Sequence, residues 1–194
     1  MNLLKKIGLA SGLSLLSAVA YAIPISGTVD MSGTVYLDNA LLGSATAATS
    51  FSGVTVGGIP TGSFTGTAGD SVAWNPFQWN PSNTPINPLW SYTDVGTGYT
   101  YAFSLSNLSV VAQTNFFLNL TGVGTLSITG AGSPYENTTG TWSFTISNSS
   151  GGAHSNFAFT FANSQTAVPD GGNTVALMGA ALIGLVALAR RRLV

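Results

Sequence analysis

The residues able to do acid–base or nucleophilic chemistry are few. Asp30, Asp38, Asp70, Asp94, Glu136 and Asp170 are the only carboxylate side chains in 194 residues, joined by one histidine, His154, and no cysteine. Nucleophilic catalysis needs a base held beside a hydroxyl or thiol. His154 follows a Gly- and Ser-rich stretch that reads as a hairpin loop, a poor support for fixed geometry. Glycoside hydrolysis needs two carboxylates facing each other across a cleft. Asp70 and Asp94 are the pair that flanks the most unusual stretch of the chain, although solvated surface acids are the plainer reading. Asp38-Asn39 and the isolated acids lack the ligand spacing of a calcium loop. One histidine without cysteine makes no zinc set. The sequence therefore reads as non-enzymatic, with no catalytic residue, no cofactor and no metal.

The unusual stretch is Trp74 to Tyr92. It holds Trp74, Trp79 and Trp90, three of the four tryptophans, and Pro76, Pro81, Pro85 and Pro88, four of the eight prolines. Proline withholds a ladder donor, so the stretch reads as a long loop or an edge crossing. Its rings admit two readings. Trp74, Trp79, Trp90 and Tyr92 could offer flat faces for stacking sugars, with Asn and Gln amides supplying hydrogen bonds, as in a carbohydrate-binding module. The favoured reading is that they pack the loop onto the body of the domain.

Charge excludes several partners. Lys5, Lys6, Arg190, Arg191 and Arg192 are the five basic residues, and none lies between Lys6 and Arg190. That interval carries all six acids, a formal charge near −6, or −5 without Asp170. Such a surface offers nothing to a phosphate backbone, so no nucleic-acid role is expected.

The elements that must position these residues read as strands. Trp142, Phe144 and Ile146 alternate with Thr and Ser, Phe157, Phe159 and Phe161 with Ala and Thr, and Tyr99, Tyr101, Phe103 and Leu105 with Thr, Ala and Ser. Phe116, Leu118 and Leu120, Leu126 and Ile128, Val29 and Met31, Val35 and Leu37, and Val54 and Val56 follow the same period of two, the mark of half-buried strands. Residues 142–147 and 157–161 form a hairpin across a polar, glycine-bearing loop. Thr121-Gly-Val-Gly-Thr125 reads as a link between two strands, through a bulge or tight turn. Asn39–Ala48 comes nearest to a helix. About eight short strands in one domain imply an all-β fold, an antiparallel sandwich or jelly roll. The uncharged run Phe157–Phe161 reads either as a central strand or as a self-association segment.

The two ends differ from this middle. Lys5 and Lys6, then an apolar run Ile7–Val19, then Ala20-Tyr21-Ala22, make a signal peptide with cleavage after Ala22. The expected partners are the Sec translocon and signal peptidase, with a mature chain starting at Ile23. At the other end Val168-Pro169-Asp170-Gly171-Gly172 leads through Asn173 and Thr174 into an uncharged run, Val175–Ala189, and then Arg190–Arg192. The run is at the short edge of the roughly 17–25 residues that span a bilayer. The arginines stand where cytoplasmic charge would hold the C-terminus inside.

This tail resembles the PEP-CTERM sorting signals of Gram-negative bacteria, in the variant usually written VPDSG-CTERM. Val168, Pro169, Asp170 and Gly171 match its motif, with Gly172 one place further on. Asp170 and Gly171 depart from the commoner Val-Pro-Glu-Pro form. The resemblance covers about a seventh of the chain. It implies that residues 168–172 are a recognition motif for an exosortase-type membrane protease, 173–189 an inner-membrane helix and 190–194 its basic tail. It implies in turn that residues 23–167 are delivered to the cell surface or extracellular matrix, in an exopolysaccharide setting. Permanent anchoring without cleavage is the plainer alternative.

Overall fold

The computed structural model describes residues 22–147 and 154–163. The strands are β1 (Ile23–Pro24), β2 (Gly27–Leu37), β3 (Ala47–Val56), β4 (Ala73–Trp74), β5 (Phe77–Gln78), β6 (Ile86–Thr93), β7 (Thr100–Gln113), β8 (Phe117–Thr129), β9 (Tyr135–Glu136), β10 (Thr138–Ser147) and β11 (His154–Asn163). The fold is all-β, as the alternation implies. Nine strands make one antiparallel sheet in the order β4-β6-β7-β8-β10-β11-β2-β3-β5, and β1 pairs in parallel with β9. Among the described residues no helix is long and apolar enough to cross a membrane; the run 175–189 lies outside them. The expected β10–β11 hairpin is present, with Trp142 opposite Phe161 and Phe144 opposite Phe159. Asn39–Ala48 holds a 3-10 turn at Leu42–Ser44 and the start of β3 rather than an α-helix.

The sheet curls until its two ends meet on one stretch of chain. Ahead of β4, Val56 N donates to Asp70 O (3.0 Å), Gly69 N to Val56 O (3.0 Å) and Val72 N to Val54 O (2.9 Å). β4 then turns to β6, with Trp74 opposite Trp90 and Asn75 N donating to Leu89 O at 2.8 Å. β5 returns to β3, with Phe77 opposite Ala48. Residues 69–78 thus stitch β3 to β6, bonding to each by turns, and the prolines fall in and around these short pieces.

The curl buries one face of the long strands, in β7 only as far as Leu105. Phe159 lies at the centre, its ring 5.2 Å from Trp74, 5.9 Å from Trp90 and 6.0 Å from both Phe103 and Trp142. Non-polar burial of this kind is the main driving force for the fold. The outward face carries Thr121, Thr125, Thr141, Ser143, Thr145 and Thr160, which keep it wet without charge. Phe157–Phe161 sits between β10 and β2 and is a central strand, its three phenylalanines buried.

Thr121–Thr125 is no link. It is the middle of the unbroken β8, paired with β7 on one side and β10 on the other. Its glycines serve close approach: a Cβ on Gly122 would lie 2.2 Å from Asn107 O, and one on Gly124 would lie 2.2 Å from Phe103 Cζ.

β7 outruns its neighbour. β6 pairs with it from Thr100 to Leu105, whereas β8 pairs with it on to Gln113. From Ser106 to Ala112 the side of β7 away from β8 receives no backbone hydrogen bond from any described residue. The Gln113 side chain donates to Leu42 O (2.8 Å) and Ala45 O (2.7 Å), which closes only the end of this edge.

Candidate functional site

The aromatic stretch resolves in favour of packing. Trp79, Trp90 and Tyr92 are 5%, 0% and 4% exposed, and Trp74 is half-buried against Phe51 at 5.0 Å. Trp90 and Tyr92 alternate inward on β6. Tyr92 lies parallel to Tyr101 at 4.7 Å, and Trp90 stacks on Phe103 at 5.6 Å. Trp79 packs on Phe77 at 5.9 Å. The burial therefore agrees with the favoured packing reading, and these four rings form no exposed stacking platform. The prolines break the stretch into short strands, and the strand period turns the rings into the core instead of onto a loop surface. All four indole N–H groups are buried without an acceptor, so the indoles are held by apolar burial and ring stacking.

The fold does bring Asp70 and Asp94 into one electrostatic neighbourhood, at the end of the sheet where the 69–72 stretch meets the β6–β7 turn. Asp94 accepts from Gly96 N (2.9 Å), Thr97 N (3.1 Å) and Thr97 Oγ1 (2.6 Å). The Thr97 hydroxyl, then the Gly96 amide, hold its carboxyl below the usual range despite its burial. Asp70 is pushed up, first by desolvation and then by the charge of Asp94, and its Oδ2 is buried without a hydrogen bond. Burial, with smaller contributions from Asp94 and Tyr135, pushes the Tyr101 hydroxyl up to about 12, and Tyr101 donates to Ser63 O at 3.1 Å. Burial likewise pushes Tyr92 up, against the lowering effect of its Thr67 hydrogen bond. A hydrolytic pair needs two carboxylates free to trade protons with substrate. Here Asp94 is saturated by its own turn.

The other acids are dispersed. Asp38 accepts from the Thr46 amide and hydroxyl and ties β2 to β3; those bonds outweigh its burial and lower its pKa. Asp30 faces outward on β2 opposite Thr160, and Glu136 is exposed on β9. Among the described residues no three of His, Asp and Glu gather as a metal set. His154 begins β11 opposite Tyr36.

The sorting motif Val168, Pro169, Asp170, Gly171 and Gly172, the basic residues Arg190, Arg191 and Arg192, and Ala20 lie outside the described residues. Ala22 is exposed and immediately precedes β1, where Ile23 N donates to Pro134 O at 2.8 Å. The feature missed in the sequence is the free half of β7. Its signal is the doublets Val110-Val111 and Phe116-Phe117, which break the period of two; all four side chains are exposed.

Comparison of the chain with protein-family models, with curated proteins and with solved structures finds no match in any of the three.

Proposed function

We propose that the chain is an exported, non-enzymatic envelope or matrix protein carrying a C-terminal sorting signal. In this reading signal peptidase cuts after Ala22, following passage through the Sec translocon. The helix 173–189 holds the chain in the inner membrane, with Arg190–Arg192 on the cytoplasmic side. An exosortase-type protease then cuts near Val168–Gly172 and releases the domain to the cell surface or surrounding exopolysaccharide. These residues are substrate elements and do no chemistry themselves. The observation that carries the reading is the order of motif, uncharged run and terminal arginines in the last 27 residues, in a chain with no basic residue between Lys6 and Arg190.

The extent of the fold supports it. Every described strand lies between Ile23 and Asn163, so both cuts would leave the described core whole. Gly27 and Asn163 are paired in register, which sets both points of attachment at one end of the sheet. We read the domain as a flattened sandwich with jelly-roll character. Trp74 near one end of the sheet packs across onto Phe144, Phe157 and Phe159 of β10 and β11, as facing layers do.

The test is the intact mass of the protein from envelope and medium fractions. The expected species starts at Ile23 and ends within 168–172. A protein that keeps Arg190–Arg192 in every fraction overturns the cleavage and leaves a permanently anchored domain.

A further inference from the structure

We propose that the pairing of β1 with β9 closes the Ala22–Ile23 bond to signal peptidase, so that the signal peptide is removed before β1 docks or is kept. This closure rests on the reading of residues 1–22 as a signal peptide, and adds what controls its removal. Hydrolysis of the bond adds the hydroxyl of water to the Ala22 carbonyl carbon and passes a proton to the departing Ile23 nitrogen. The enzyme must reach both atoms and hold the residues on either side in an extended form. In the folded domain Ala22 is exposed, but the departing nitrogen is engaged, its hydrogen donated to Pro134 O at 2.8 Å. Ile23 and Pro24 pair with Tyr135 and Glu136. Ile25 is fully buried, and its amide donates to Thr138 Oγ1 at 2.9 Å. Ser26 N then donates to Ser63 Oγ (3.1 Å) and Thr28 N to Thr61 Oγ1 (2.9 Å). A Cβ on Gly27 would stand 2.2 Å from Thr61 O, so the chain here lies directly on its neighbour. No slack separates the cut from the fold.

The interval open to the cut is long in sequence. Thr138 lies 113 residues after Ile25, so a chain delivered N-terminus first leaves the Ala22–Ile23 bond free until most of the domain has followed. Once β1 has docked, a protease acts only on molecules in which it has come away again. That opening has to draw Ile25 out of the core and break the buried bond to Thr138, and both changes oppose it. The fold nevertheless tolerates an uncut chain. Gly27 pairs with Asn163, so both attachments leave one end of the sheet and can enter one membrane with the core intact. Two products follow from the race between cleavage and docking. A chain cut early is held by its C-terminal helix alone, and a chain that folds first is held at both ends.

The test uses the full-length chain, unfolded in urea and diluted into detergent micelles. Purified bacterial signal peptidase is added after increasing delays, with folding followed by tryptophan fluorescence and the products read by intact mass. A second chain carries a Gly-Ser linker of about six residues between Ala22 and Ile23, which reaches ~20 Å when extended and frees the cut without touching the domain. At zero delay both chains are expected to be cut after Ala22. With increasing delay the cut fraction of the parent is expected to fall about tenfold, in step with folding, whereas the linker chain is cut equally at every delay. The proposal is overturned if the folded parent is cut as fully as the freshly diluted one, or if the linker chain becomes protected to the same extent. Absence of any cut at zero delay, with a control precursor cut in the same micelles, removes the signal-peptide reading itself and this closure with it.

Discussion

Replacing Gly124 with alanine tests whether β8 runs unbroken beneath β7. A Cβ built there stands 2.2 Å from Phe103 Cζ, 2.6 Å from Phe103 Cε2 and 2.5 Å from the Ser104 carbonyl oxygen. The Phe103 ring is fully buried and hemmed in by Trp90 at 5.6 Å and Phe161 at 5.4 Å, so it cannot swing away. The Ser104 oxygen is backbone and moves only with its strand. Overpacking of this kind costs about 1–3 kcal/mol. Alanine also restricts the unfolded chain, which returns about 0.4–1 kcal/mol. Because one of the contacts is with backbone, the net loss is expected near 2 kcal/mol, a fall in melting temperature of roughly 8 °C for a domain of this size. The matched control is Gly58→Ala, where a Cβ meets nothing within 4 Å and the backbone is not in the left-handed region. It is expected to stay within about 0.5 kcal/mol of the parent. Both are read by thermal and denaturant unfolding of the purified protein. If Gly124→Ala matches Gly58→Ala, the close approach of β7 and β8 is wrong.

Trp79→Ala is expected to remove about 3–5 kcal/mol of stability, as for a buried ring. A variant as stable as its parent that has lost binding to a glycan would restore the stacking reading. Asp94→Ala is expected to lose about 2–3 kcal/mol at neutral pH, because its charged oxygens satisfy three donors. Its folded pKa is lowered, so this stabilisation is present above the usual carboxylate range and is lost as pH falls through the folded value. A parent–variant gap that stays constant through acid pH would contradict that. Asp70→Asn carries the opposite sign, since the folded pKa is raised and the ionised form is the disfavoured one. The variant is expected to be the more stable at neutral pH and to converge with its parent below about pH 4; the check is the urea midpoint against pH.

The strands were legible wherever alternation alone decides them. The Trp142–Ile146 and Phe157–Phe161 runs mark both the hairpin and its buried face, because a period of two and a one-sided core leave one register. Glycine was ambiguous in the sequence. Gly122 and Gly124 look like turn residues, yet they are demanded by neighbours whose nearness is set by the partner strand. Trp74–Tyr92 does run through both edges of the sheet, one of the two readings its prolines allowed, but the short strands within it were not legible. Four prolines argue locally for a loop, whereas the pairing of residues 69–78 with β3 and β6 by turns depends on how far the sheet curls. Of the candidate chemistry, the sequence singled out Asp70 with Asp94, and the fold does couple them. That Asp94 is consumed by Gly96 and Thr97 follows from the geometry of a five-residue turn, not from spacing. The tail rests on motif order alone.

The place of β11 in the sheet has a consequence for timing. The last described strand is not an edge strand. It lies between β10 and β2, and its pairing with β2 joins residues as far apart as Gly27 and Asn163. A chain delivered N-terminus first, from a ribosome or through a membrane pore, can build β7–β8–β10 by local hairpin closure while β2 and β3 wait. Phe144, Trp142 and Met31 stay without their central partner, Phe159, until nearly the whole domain has emerged. Non-local pairing of this kind is slow. Closure therefore waits until β11 has emerged, and the half-built sheet, with unpaired edges at both β10 and β2, is the species on which a chaperone or a protease would act.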